Sequence, residues 1–341
     1  MKHAQSQGGL VAGVLVAVVA GGCGGTLQVK KIDSVAQPPG NVALYFTVEN
    51  KEGKPMPDLG PNAFRVYEDG KLVPEKKAKR ALLDPRVAMF GSTLVLIDIG
   101  GPIADSEEMP ALVTATARLV ERLSRLQEVA VSAFDGGEQL MPVLAYESNE
   151  VRGPMDGLRA LRPRSRSSNM NGAILDGLKV LKQRRAGAPA PHTFANLVVF
   201  TDRGDVAHKA TYKEASNAAA KAEVNLYVIG IGERVKKDEL AELSTAASVI
   251  SLEPKDLGRA FADVAKRIDS ATASNYVLSY CSPKRKGKHT IEIEVLAGGD
   301  SGRIKQKFTA DDFEDDCAPR KRPVFGEGEA VASRGKGRKS Q

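Results

Sequence analysis

Apolar residues in the middle of this chain come in continuous runs, whereas at its two ends they alternate with polar ones. The runs Thr93-Leu-Val-Leu-Ile-Asp98 and Asn196-Leu-Val-Val-Phe-Thr-Asp202 are bounded by Gly and polar residues. That is the pattern of strands buried on both faces of a parallel sheet. Val129–Phe134, Val224–Ile229 and Ser248–Leu252 have the same composition. Between these runs the period changes to that of helices. From Pro110 onward, Leu112, Ala115, Leu119, Leu123 and Leu126 fall on one face. Further helices are predicted over 171–184, 211–222, 236–247 and 255–269. Strand–helix alternation over 91–270 defines an α/β unit with a doubly wound, mostly parallel sheet.

The flanks read differently. Val42–Val48 and Phe64–Glu68 have strand composition, and the second enters Asp69-Gly70, a hairpin turn that needs positive φ. Asn275–Cys281, His289–Leu296 and Arg303–Thr309 are three more alternating strands, with a basic turn at Lys284–Lys288. The chain therefore divides into a β unit at 41–90, the α/β unit at 91–270 and a second β unit at 271–318. The two small β-sheet units either form one sandwich into which the α/β unit is inserted or stand apart; the pattern leaves both open. Residues 23–40, ending in Gln37-Pro-Pro-Gly40, read as a linker.

The first 22 residues read as a signal peptide. Lys2 supplies a positive start, Leu10–Ala20 is apolar, and small residues precede Cys23. This apolar stretch is shorter than the ~20 residues that a bilayer-spanning helix needs. Ala20-Gly-Gly-Cys23 resembles the lipobox of bacterial lipoproteins, which implies acylation of Cys23 and a membrane anchor in the bacterial cell envelope, at the outer membrane or periplasmic face. Cleavage without lipidation is the alternative. There are three cysteines in all. With Cys23 lipidated, Cys281 and Cys317 remain as a pair suited to a disulfide in an oxidising compartment.

The formal net charge of +7 is concentrated at the C-terminus. Over 319–341, Arg320, Lys321, Arg322, Arg334, Lys336, Arg338 and Lys339 face only Glu327 and Glu329. A tail so rich in Gly, Ser and charge is expected to be disordered and solubilising, or to touch an anionic polymer or lipid surface. No module for specific nucleic-acid binding is recognisable.

Asp98 and Asp202 end their strands at the sheet edge where open α/β sheets bind ligands. Asp98-Ile-Gly-Gly-Pro102, with the later Thr-Asp202, resembles the von Willebrand factor type A domain. In that family a metal-ion-dependent adhesion site begins Asp-x-Ser-x-Ser and is completed by a Thr and an Asp from later loops. The resemblance implies an antiparallel edge strand near Gln139–Leu144 and a role in adhesion or complex assembly. Here the two serine positions are Gly100 and Pro102, and the threonine position is Gly172. The phrase Phe64–Lys71 is similar to one preceding the type A module in a group of exported bacterial proteins.

The resemblance therefore implies a degenerate metal site holding only Asp98 and Asp202, and no cofactor. A hard cation needs about six oxygen ligands, so a rearranged Mg²⁺ or Mn²⁺ site built with Asp105, Ser106, Ser167, Ser168, Asn169 or Asn171 is the alternative. Arg164, Arg166, Asn171 and Arg203 are expected to form a partner-binding rim, with guanidinium charge in place of the ion. Arg203-Gly-Asp205 matches an integrin-read tripeptide, a chance match where the family's loop has Gly and Asp.

Catalysis lacks candidates. The four His are scattered at 3, 192, 208 and 289, and no nucleophile motif or phosphate loop is present. There is no Trp for stacking on sugars. The expectation is a non-catalytic envelope lipoprotein whose type A domain binds an unknown envelope protein. The alternatives are a metal-dependent adhesin and a cell-wall tether acting through lipid and tail.

Overall fold

The computed structural model describes residues 26–148, 150–251 and 253–326. Cys23, the signal segment and most of the basic tail lie outside the described residues. The chain opens with β1 (Gln28–Gln37), β2 (Asn41–Glu49), β3 (Phe64–Glu68), β4 (Lys71–Leu72), a short helix α1 (Glu75–Ala78) and β5 (Ala81–Leu83). The α/β unit follows, first as β6 (Met89–Asp98), α2 (Met109–Leu123), β7 (Glu128–Phe134), β8 (Met141–Leu144), α3 (Arg152–Ala160) and α4 (Met170–Ala186). It continues with β9 (His192–Thr201), α5 (Tyr212–Lys221), β10 (Asn225–Ile231), α6 (Lys237–Leu243), β11 (Ala247–Ser251) and α7 (Leu257–Ala273). The last strands are β12 (Asn275–Cys281), β13 (Lys288–Ala297) and β14 (Asp300–Thr309).

The central sheet has the order β11-β10-β9-β6-β7-β8, parallel throughout except for β8, which pairs antiparallel with β7. Both faces are covered, which explains the continuous apolar runs. Val95 and Ile97 of β6 face a core shared with α2, α3 and α7, while Leu94 and Leu96 face one shared with α4, α5 and α6. Gly177 lets α4 lie against the sheet, since a Cβ there would come within 3.1 Å of Leu96 and Leu197 side chains. From β6 the chain first winds towards β7 and β8, then returns to add β9 and β10 on the other side. The crevice where the winding reverses lies between the ends of β6 and β9.

The open question about the flanks has one answer. One four-stranded sheet has the order β1-β2-β12-β5, the other β14-β13-β3-β4, so each joins strands from before and after the α/β unit. Leu44, Phe46, Phe64, Tyr276, Leu278, Ile291 and Ile293 interdigitate between them as a single core. The α/β unit is thus inserted into a β-sandwich. Its base rests on the sandwich's outer face, where Ala43, Tyr45 and Val277 pack with Met89, Phe194 and Phe325.

Several sequence expectations are corrected. The segment read as a linker contains β1, whose Lys30, Lys31 and Asp33 hid an exposed edge strand with a bulge at Ile32. Helix α3 was missed because Gly153, Pro154 and Gly157 weaken its local signal, yet Met155 and Leu158 are buried in the core. Helix α6 stops at Leu243 instead of 247. There Ser244 Oγ donates to the Leu226 carbonyl and Thr245 Oγ1 exchanges hydrogen bonds with Val224 and Leu226, turning the chain into β11. The Cys281–Cys317 disulfide forms. It joins the end of β12 to the segment after β14. Among the described residues no helix is long and apolar enough to cross a membrane.

Candidate functional site: the carboxyl edge of the central sheet

Asp98 and Asp202 meet at the β6–β9 crevice. Asp98 is fully buried. Its Oδ2 accepts the hydroxyls of Ser168 (2.7 Å) and Thr201 (2.8 Å), and its Oδ1 accepts the Gly100 N–H (3.0 Å). Burial pushes its carboxyl up to about 7 despite these donors. Asp202 is less enclosed. Its Oδ2 accepts the Ile103 N–H at 2.9 Å, and its Oδ1 faces Arg203 Nε at 3.5 Å. Burial again raises its pKa, opposed by the Ile103 N–H and the Arg203 charge.

A third strand-end aspartate organises the edge. Asp135, immediately after β7, is buried and accepts three backbone amides: Arg164 (2.6 Å) and Ser165 (2.9 Å) on Oδ2, and Gly137 (2.7 Å) on Oδ1. Its own carbonyl accepts the Asn169 N–H at 2.9 Å. These bonds hold the segment 161–169 across the ends of β6 and β7. Sequence reasoning missed Asp135, although an Asp directly following a buried strand was the same signal that singled out Asp98.

The segment so held fills the space that the family uses for metal ligands. A Cβ at Gly100 would lie 1.7 Å from the Ser167 carbonyl oxygen, and one at Gly172 would lie 2.4–2.7 Å from the Asn169 amide. A Cβ at Gly101 would lie 1.9 Å from Asp202 Oδ1. A side chain at 100 would therefore require the Ser167 backbone to move, and one at 172 would displace the Asn169 amide. Of the substitute donors, the Ser168 hydroxyl donates to Asp98, while Asn169 and Asn171 donate through Nδ2 to the Gly137 and Ala210 carbonyls. Both keep their buried Oδ1 atoms without a hydrogen-bond partner among the described residues, as does Asp202 Oδ1. Among the described residues no three His, Cys, Asp or Glu side chains converge as a metal cluster. The residues present do not reproduce the family's ligand set, since positions 100, 102 and 172 carry no hydroxyl.

The expected rim is only half a rim. Arg164 and Arg166 are exposed, alternating with inward-turned Ser165 and Ser167, and Arg166 pairs with Asp105. Exposed Arg162 continues the row. Asn171 and Arg203 are instead interior. Asn171 is buried at the start of α4, where its N–H donates to Asp205 Oδ2 (2.8 Å). Arg203 is 15% exposed and turned against Asp202. In Arg203-Gly-Asp205 both charged side chains are thus engaged internally. Beside the crevice, towards β10, a shallow pocket of about 440 Å³ is lined by Pro102, Ile103, Glu108, Asp202, Glu233 and Arg234 among others.

A sheet wound in this order, with aspartates at the ends of its first and third parallel strands meeting at the crevice, defines a type A module. The von Willebrand factor type A domain family model matches residues 94–266, and the chain belongs to that family. No curated protein matches it. Among solved structures, a von Willebrand factor type A protein from Catenulispora acidiphila is 12% identical, with 85% of this chain and 74% of that one covered and a TM-score of 0.45. The manganese-loaded TRAP protein of Plasmodium vivax is 13% identical, covering 70% of this chain and 98% of that one, at a TM-score of 0.44. Mussel byssus proximal thread matrix protein 1, solved with a zinc-occupied metal-ion-dependent adhesion site, is 16% identical, covering 60% and 49%, at 0.40.

Proposed function

We propose that this protein is a non-catalytic binding protein of the bacterial cell envelope, anchored by acylated Cys23, whose type A module binds a protein partner without a metal ion. The observation that carries this reading is the Ser167 carbonyl seated 1.7 Å from where a Gly100 side chain would begin. Where relatives with intact sites offer a cation, this chain offers a fixed loop studded with arginines. That loop sits on a rigid sheet, the usual place for a binding surface. Two named carboxylates without an accompanying nucleophile or base support the non-catalytic half of the reading.

The fold gives this arrangement a direction. With Cys23 acylated, the three peptide units to Thr26 span at most about 10 Å, so the sandwich sits close to the bilayer. β6 and β9 start at the sandwich and run ten residues each, which carries the arginine loop about 33 Å away from it.

The test is calorimetric titration of Mg²⁺ and Mn²⁺ into the soluble protein lacking residues 1–26, with Asp98→Ala/Asp202→Ala as control. No saturable micromolar binding is expected; binding lost in the double variant would replace this reading by a metal-dependent adhesin. In parallel, Arg164→Glu/Arg166→Glu should abolish cross-linking to envelope proteins. Unchanged cross-linking would remove the loop as the contact surface.

A further inference from the structure

A second surface lies on the sandwich, away from the type A edge. β1 and β14 are the outer strands of the two sheets on the same side. At one end they are joined: the Leu27 N–H donates to the Ser301 carbonyl (2.9 Å) and Lys31 Nζ donates to Gln306 Oε1 (2.5 Å). At Ile32 a bulge interrupts the pairing of β1 with β2. Beyond it no hydrogen bond joins β1 to β14 among the described residues, and a groove of about 710 Å³ opens between them. Ser34–Pro38 form one side and Gln306–Thr309 another. The third side is the segment after β14, which crosses the outer face of β1. There the Val324 N–H donates to Gln37 Oε1 (3.2 Å) and the Gly326 N–H to Asp33 Oδ2 (3.2 Å).

Two properties of this groove point to its occupant. First, its floor is an open strand edge. Residues 28–37 make backbone hydrogen bonds to β2 alone among the described residues. Natural sheets guard such edges with lysines, bulges or inward charges, and here Lys30, Lys31 and the bulge guard only the first half. Ser34-Val-Ala-Gln37 carries no charge at all. Second, the walls are cationic. Lys307 on one wall and Lys321 and Arg322 on the other are exposed and enter no ion pair among the described residues. Val324 stands 51% exposed at the groove and Ile32 40% exposed beside the bulge, apolar side chains that solvent alone does not favour.

We infer that the groove between β1 and β14 binds an extended acidic peptide of a partner protein, which adds as a strand to the free edge of β1 at residues 34–37. Main-chain hydrogen bonding to β1 would supply affinity. Lys307, Lys321 and Arg322 would meet acidic side chains on both sides of the added strand and reject basic ones. The site is on the sandwich, so it stands or falls independently of what the type A edge binds.

The test uses the protein with its full C-terminus and two fluorescein-labelled hexapeptides, alternating Glu-Val and alternating Lys-Val, read by anisotropy. The acidic probe should bind saturably and the basic one not. The Lys307→Glu/Lys321→Glu/Arg322→Glu variant, all exposed positions, should keep its melting temperature and weaken the acidic probe by about tenfold or more. Hydrogen exchange should show new amide protection within 34–37 when the acidic probe binds. Equal binding of both probes, no binding of either, or an unaffected triple variant would overturn the proposal. Binding without protection in β1 would overturn strand addition. Removal of residues 327–341 that raises probe affinity would identify the chain's own tail as the occupant and would likewise overturn the assignment to a partner.

Discussion

Asp98 is a buried carboxyl that accepts two hydroxyls and one amide, and its raised pKa has a consequence for stability. The folded chain holds the Asp98 proton up to about 7, whereas an unfolded aspartate releases it near 3.9. Between those values the native state binds more protons than the unfolded state, so stability from this group is complete below the lower value and is lost as pH rises through the upper one. Asp98→Asn removes this slope. Urea denaturation between pH 4 and 8 should show the variant gaining on the wild type as pH rises, with the hydroxyls of Ser168 and Thr201 turned to suit the amide. A pH-independent difference would show that Asp98 is ionised throughout. Gly100→Ser belongs to the same scale. It restores a family ligand by sequence, but its Cβ meets the Ser167 backbone, so it should cost about 1–3 kcal/mol as overpacking does. It should leave calorimetric metal binding unchanged.

At the scale of elements, the segment 161–169 has no regular secondary structure of its own, and it is held by Asp135. Replacing Asp135 with Ala strands the amides of Gly137, Arg164 and Ser165. The expected cost is about 2–3 kcal/mol, the range for hydrogen bonds to a charged acceptor. Limited trypsin cleavage after Arg164 or Arg166 should accelerate in the variant. Equal cleavage rates would mean that the segment is held by its packing alone. The strands of the central sheet need no such help, because both of their faces are sealed by helices.

For the whole molecule, the interleaving of the two ends matters most. β12 pairs with β2 and β5, and β13 pairs with β3, so the sandwich cannot form until the α/β unit has brought residues 275 onward back to residues 41–83. A chain ending at residue 270 should leave the core around Phe46 and Phe64 without its partners. It should elute as aggregate or with an unfolded N-terminal part, whereas a chain ending at 326 should not. The Cys281–Cys317 bond closes a sequence separation of 36 residues over this last step. Cys281→Ala/Cys317→Ala should lower stability by about 2–4 kcal/mol, measured by denaturation under oxidising conditions. No difference from wild type would mean that strand pairing alone fixes the C-terminal segment.

Much of this was legible in one dimension. Continuous apolar runs ending in Asp98 and Asp202 determined the parallel sheet, its helices and the crevice, because burial on two faces leaves no room for polar alternation. Alternation did the same for β3, β13 and β14, and strand composition for β2 and β12. The losses of hydroxyl at 100, 102 and 172 were readable as letters. What only the tertiary structure decided was set by partners far apart in sequence. β1 is a strand because β2 pairs with it, Asn171 and Arg203 are interior because loops fold over them, and the two flanks are one sandwich because the module between them returns the chain. That the vacated ligand positions are filled by Ser167 and Asn169 was likewise invisible, since close approach of one backbone to another leaves no mark on the sequence beyond a glycine.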